Sequence, residues 1–204
     1  MTIVLATRNK KKVEEIGRIF EGYDIRFLTL DSFPGCPDVE EDGKTFRQNA
    51  VKKAVQVAKY TGCLAIADDS GLEVKALGGA PGVFSARYAG VDADDGKNLN
   101  KLLLEMKGLN NEHREARFVC CIALALPDGH CKTFSGYAKG NIAKKTRGFN
   151  GFGYDPAFYP AGHGRTFAEM SDTEKDALSH RGKALKRLYI YLKKQLLINE
   201  KNVL

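Results

Sequence analysis

No apolar run in this 204-residue chain approaches the roughly 18 residues that a membrane-spanning helix needs, which sets aside a helical membrane protein. The five cysteines (Cys36, Cys63, Cys120, Cys121 and Cys131) contain no C-x-x-C pair, and their number is odd. This argues against a disulfide framework or a zinc–thiolate site and for reduced, mostly buried thiols. The four histidines (His113, His130, His163 and His180) lack the H-x-x-x-H spacing of a zinc hydrolase. A secretory signal places its positive charge ahead of its apolar stretch. Here MTIVLATRNKKK has the reverse order, and a cytoplasmic protein is expected. Repeats, low-complexity tracts and long linkers are also lacking, so residues 1–204 are read as a single domain.

Basic residues are in surplus. The net charge is +7, a balance that suits polyanionic partners such as nucleic acid, nucleotides or phosphorylated metabolites, or simply a basic surface. Ile3 to Ala6 form a continuous apolar run, as a strand covered on both faces requires. Asn9 can cap a following helix in which Val13, Ile16, Ile19 and Phe20 recur at three- and four-residue steps. Ile25 to Leu30 reads as a second strand, and Thr45 to Gln48 as a capping box for a helix reaching about Tyr60. Leu64 to Ala67 is another buried strand that runs into two adjacent carboxylates, Asp68 and Asp69. Ser70 and Gly71 then read as a turn, before Leu72, Val74 and Ala76 alternate as a strand. A helix is expected around Lys97 to Met106. Pro127-Asp128-Gly129-His130 marks a hairpin between Arg117–Leu126 and Lys132–Lys139. A glycine-rich loop from Gly148 to Gly164 leads to a C-terminal helix, expected to fray over 199–202. Strands alternating with helices, plus one long hairpin, indicate an α/β fold with a mixed β-sheet flanked by helices.

Three places could carry chemistry. At the first strand-to-helix junction stand Thr7, Arg8, Asn9, Lys10, Lys11 and Lys12, where unpaired backbone N–H groups attract anions. The glycines of a Walker A loop are missing. Cations at this end oppose the helix dipole, so a phosphate site explains them better than a solvated basic start, and Lys12 points back toward the junction. Glu40, Glu41 and Asp42 precede a helix, and Asp68–Asp69 end a strand. Read separately they are an acidic cap and an Asx turn, but beside a basic junction they could hold a magnesium–polyphosphate complex. If the strand continues, Asp68 and Asp69 point to opposite faces and do not act as one paired site. The loop Gly151-Phe152-Gly153-Tyr154-Asp155 offers a ring for a base to stack on, or else an aromatic turn packed on the core. Lys175, His180 and Arg181 follow at a helix entrance and could bond to a base or phosphate.

Taken together these segments resemble the inosine triphosphate pyrophosphatase family. The matching stretches are ATRNKKK at 6–12, EEDGKTFRQNA at 40–50, IADDSGLEVKALGGAPGVFSARYAG at 66–90, GFGYDPAF at 151–158 and AEMSDTEKDALSHRGKAL at 168–185. Phe84 stands where the family often has tyrosine. The resemblance implies an elongated fold of two lobes with the substrate between them, a homodimer, and no nucleic-acid or membrane partner. It implies Mg2+-dependent hydrolysis of ITP, dITP and XTP to the monophosphate and pyrophosphate. By the same resemblance Asp69 is the catalytic base and a metal ligand, with Glu40 the other metal ligand. Thr7 to Lys12 hold the triphosphate, Ser70 touches substrate, and Phe152, Gly153, Tyr154, Asp155, Lys175, His180 and Arg181 form the nucleotide pocket. The alternatives are a related pyrophosphatase for pyrimidine or modified nucleotides, and a noncatalytic nucleotide- or RNA-binding module.

Overall fold

A computed structural model describes the backbone of residues 1–201 and the side chains of residues 1–195. The first apolar run forms β1 (Thr2–Leu5), with Ile3 and Val4 fully buried. It pairs in parallel with β2 (Arg26–Leu28) on one side and β3 (Ala65–Val74) on the other. Three antiparallel pairings add β4 (Glu115–Ala125), β5 (Cys131–Ile142) and the short β6 (Phe158–Pro160). The result is one mixed six-stranded sheet in the order β2-β1-β3-β4-β5-β6.

Helices cover both faces. On one lies α2 (Phe46–Thr61), whose Ala50, Ala54 and Ala58 meet Ala65, Ala67, Ala123 and Ala125 of the sheet. Small side chains on both partners let this helix approach closely. On the other face, α1 (Lys10–Ile19) and α5 (His180–Lys201) enclose Ile3, Leu5, Ile66, Cys120, Ile122 and Leu124. The remaining helices are α3 (Asp95–Glu105) and α4 (Asp172–Leu178). A further core cluster joins the Val74 end of β3 to α3 and to the chain after β5, through Leu72, Leu102, Met106, Phe118, Phe158 and Phe167.

Most elements lie where the sequence puts them, with three differences. The sequence suggests a turn at Ser70–Gly71, but β3 runs unbroken through Asp68-Asp69-Ser70-Gly71, each paired with β4. The strand tolerates its charges because helices on both faces supply buried partners. The second strand covers only Arg26–Leu28, and Leu30–Ser32 coil into a 3-10 turn that buries Leu30. At α2 the Thr45 hydroxyl accepts from Gln48 N–H as expected, but the Gln48 amide oxygen reaches Lys44 N–H rather than Thr45. Helix α5 spans His180–Lys201, and the fraying expected over 199–202 falls beyond the residues whose side chains are described.

The start of α5 is fixed by close packing on β5. A Cβ on Gly136 would lie 2.0 Å from the His180 carbonyl oxygen, so only glycine lets the helix begin there. That contact sets His180 and Arg181 against the sheet. None of the described helices is long and apolar enough to cross a membrane.

Candidate active site

Where β3 begins, Ala65 and Ala67 face α2 and Ile66 faces α1 and α5, and the same alternation parts Asp69 and Asp68 to opposite sides. Asp69 is 6% exposed and meets α2. Asn49 Nδ2 donates to its Oδ2 at 3.1 Å, and Lys53 Nζ approaches Oδ1 at 3.5 Å. Lys53 also donates to Glu41 Oε1 at 2.6 Å and to the Asp68 carbonyl at 2.9 Å. Asn49 and Lys53 are one turn apart on α2, held near the strand by its alanine stripe. Burial pushes the Asp69 carboxyl above its ordinary range. Lys53 opposes this, Glu41 adds to it, and the upward shift wins.

On the other side a chain of alternating charges runs beneath the site. Lys12 Nζ pairs with Asp68 Oδ1, and Arg181 Nε donates to Asp68 Oδ2 at 2.9 Å. Arg181 also pairs with Glu15, and Lys175 Nζ donates to both Glu15 Oε1 and Asp155 Oδ2 at 2.7 Å. Burial raises the cost of every charge in this chain, yet Arg181 and Lys12 hold the Asp68 carboxyl well below its usual range. Glu15 is likewise lowered despite burial, by Arg181 and Lys175. The three cations and three carboxylates satisfy one another.

The glycine-bearing loop completes the arrangement. Phe152 N–H donates to Asp155 Oδ2 at 2.8 Å, which ties the loop to the ion chain. At Gly151, φ is +73° and a Cβ would lie 2.2 Å from the same oxygen, so the turn requires glycine. Lys175 Nζ and the Arg181 guanidinium lie 4.8 and 5.5 Å from the Phe152 ring centre. His180 stacks flat on Phe118, with ring centres 4.6 Å apart, and its Nδ1 is buried without a hydrogen-bond partner. Burial first, then the nearby Arg181, push the imidazolium far down, so His180 is neutral.

These parts open onto one cavity of about 240 Å3. Of the residues expected from the sequence, Thr7, Asn9, Lys12, Asp69, Ser70, Phe152, Gly153, Tyr154, Asp155, Lys175, His180 and Arg181 line it. Arg8 does not, because its guanidinium turns to Asp38 and the Cys36 carbonyl. Lys10 and Lys11 are exposed, with Lys11 Nζ 5.6 Å from the Phe152 ring centre. Glu40 is also exposed and lines no part of the cavity. Its neighbour Glu41 does, turned inward by Lys53. Tyr154 is buried and spends its hydroxyl on the Ser85 carbonyl at 2.8 Å.

Sequence reasoning missed Glu15, Asn49, Lys53 and Asp95. The signal for Asn49 and Lys53 was polarity inside the alanine stripe of α2, and for Glu15 a carboxylate beside Ile16 on the buried side of α1. Asp95, at the start of α3, accepts from Gly153 N–H at 2.9 Å.

Glu41 and Asp69 form a two-carboxylate donor set, and no larger group of metal-ligating side chains converges among the described residues. Magnesium takes oxygen donors and commonly needs only one or two carboxylates beside substrate phosphates. The Lys53 ammonium already sits between the two carboxylates, so a positive charge is accommodated there. The donor set therefore fits magnesium.

The chain matches known proteins over most of its length. Residues 3–191 match the Ham1 family. The chain is 50% identical over 198 residues to a dITP/XTP pyrophosphatase of Desulforamulus reducens, covering 94% of this chain and 98% of that one. It is 51% identical over 190 residues to another of Geobacter sulfurreducens, covering 93% and 96%. Among solved structures, a HAM1 protein from Coxiella burnetii superposes with a TM-score of 0.87 at 44% identity, covering 95% of this chain and 99% of its own. The Ham1 protein of Staphylococcus aureus gives 0.86 at 40% identity, covering 96% and 100%. With a match of this extent in sequence and in fold, the chain belongs to the Ham1 family.

Proposed function

We propose that the chain is a Mg2+-dependent nucleoside triphosphate pyrophosphatase that hydrolyses ITP, dITP and XTP to the monophosphate and pyrophosphate. The observation that carries this reading is one cavity shared by a cationic helix start, the carboxylates Asp69 and Glu41, and an aromatic pocket rimmed by Lys175 and Arg181. The relatives about half identical to it are dITP/XTP pyrophosphatases, which supports the substrate class. On this reading the cavity is the substrate cleft between two lobes.

The residues divide the work by position. Thr7, Asn9, Lys12 and the first amides of α1 receive the triphosphate. Asp69, made more basic by burial and fixed at Oδ2 by Asn49, takes a proton from a water aimed at the α-phosphorus. The water oxygen bonds to that phosphorus as its bond to the pyrophosphate oxygen breaks. Magnesium, held by Glu41, Asp69 and substrate phosphates, would neutralise the triphosphate and lower the pKa of bound water. At the other end the purine stacks on Phe152, and donors from His180 and Arg181 favour a 6-oxo acceptor over the adenine amino group. Arg181 gives three of its N–H bonds to Asp68, Glu15 and Ser70, so its plane is fixed before substrate arrives.

A nucleotide panel tests the reading. ITP, XTP, GTP, ATP, dTTP and UTP are each incubated with protein and Mg2+, and pyrophosphate and monophosphate are quantified. Fastest release of pyrophosphate from ITP and XTP is expected. Release of orthophosphate alone, or equal rates on ATP and ITP, would sink the assignment. The same reading makes the working form a cytoplasmic homodimer, which sedimentation and cell fractionation check.

A further inference from the structure

Asp68 has no part in the chemistry just described, although it adjoins the base. Its carboxylate receives two donors on each oxygen. Lys12 and the Ser70 hydroxyl (2.8 Å) bond to Oδ1, and Arg181 Nε (2.9 Å) and the Cys120 thiol (3.1 Å) to Oδ2. A carboxylate offers about four acceptor sites, so this one has none left for a water or a metal. The strand also points it away from Asp69, toward α1 and α5.

Two of its partners are otherwise unconnected. Lys12 belongs to the phosphate end of the cavity and Arg181 to the pocket around Phe152, and both are cations that repel each other. Asp68 is the one carboxylate that both touch among the described residues. Ser70 strengthens the link, because it accepts from Arg181 Nη2 at 2.9 Å while donating to Asp68. We propose that Asp68 is a positioning residue that ties Lys12 to Arg181, so that the phosphate grip and the base pocket are held as one unit. The inference rests on the pyrophosphatase reading for the identity of those two ends. It predicts that disturbing the phosphate end alters the choice of base, which separate subsites would not do.

The experiment uses the full chain, with nucleotide affinity measured by calorimetry beside turnover with Mg2+. In Asp68→Asn, an amide N–H2 must face donors on one side. The KM for ITP is expected to rise about tenfold or more, as for loss of a charged hydrogen bond, and the preference for ITP over ATP in kcat/KM to shrink with it. The acid limb of the pH–rate profile stays in place, because Asp69 is untouched. A fall in kcat with KM and preference unchanged overturns the proposal, as does an equal loss on both nucleotides.

A second test keeps Asp68 and so does not depend on that variant folding. Lys12→Met, Arg181→Lys and the double variant form a cycle. If the two ends are tied, the double variant loses about fivefold less ITP affinity than the product of the single losses. Losses that simply multiply overturn the tie. A wild-type protein that binds ITP yet releases no pyrophosphate would instead defeat the functional reading, and the affinities would still decide the cycle.

Discussion

Adjacent aspartates on one strand meet two very different environments. On the α2 side, Asp69 has Asn49 at 3.1 Å and Lys53 at 3.5 Å, and Lys53 is shared with Glu41. On the α1 and α5 side, Asp68 is enclosed by four donors and stands between Lys12 and Arg181 in a balanced ion chain reaching Asp155. Both carboxylates are nearly inaccessible, at 6% and 2% exposed, so burial alone does not separate them. Their partners do. Asp69 is raised and Asp68 is well below its usual range. A carboxylate left short of donors is available to water, metal and protons, and a saturated one is a strut.

The contrast is broken most sharply at Asp69. Asp69→Asn is expected to lower kcat by about 10²- to 10⁴-fold, the usual contribution of a positioned base, while nucleotide binding persists. The sign on stability follows from the raised value. A group whose folded pKa lies above its unfolded one favours the fold below the unfolded pKa and loses that contribution as pH rises through the folded pKa. At neutral pH the Asp69 charge therefore destabilises, and the neutral amide should melt slightly higher than wild type. A variant that keeps turnover would refute the role assigned to Asp69.

On the other side, the comparable break is Glu15→Gln. Glu15 is 4% exposed and neutralises both Arg181 and Lys175. Removing its charge leaves two buried cations sharing Asp68 and Asp155, and breaking a buried pair costs about 3–5 kcal/mol. In a chain of this size that corresponds to a fall in melting temperature of roughly 2–4 °C per kcal/mol. Calorimetry at neutral pH measures it. A melting point unchanged by this substitution would mean that the ion chain contributes nothing to the fold.

The sequence displayed the fold through periodicity, because apolar runs, helical steps and the Pro127–His130 turn are local signals. It displayed the site in part. The basic junction, the aspartate pair and the aromatic loop could be found by eye, and twelve of the expected residues share the cavity. What stayed hidden depends on contacts across the chain. Glu15 meets Lys175 across 160 positions and Arg181 across 166, and no spacing rule links them. That Glu41 rather than Glu40 faces the cavity follows from where the Lys53 ammonium lies. The break expected at Ser70–Gly71 failed for a related reason. Two charges normally end a strand, but here helices on both faces bring cations to meet them.

Lys53 offers the finest test of the contrast, since it is the main restraint on Asp69. Burial raises the Asp69 carboxyl, and the Lys53 ammonium is the first influence that lowers it. With Asp69 in the role of base proposed above, turnover needs it ionised, so kcat/KM should fall as pH drops through its folded pKa. Lys53→Met removes the opposing cation and keeps most of the side-chain volume. The folded pKa then climbs further, and the acid limb of kcat/KM moves to higher pH. The Asp68 side provides the control, because its carboxyl is lowered by Arg181 and Lys12, neither of which is changed. The stability that ionised Asp68 contributes, lost as pH falls from the ordinary carboxylate range through its depressed folded pKa, should therefore be nearly the same in both proteins. A pH–rate profile of Lys53→Met that overlays wild type would show that Asp69 does not set the acid limb.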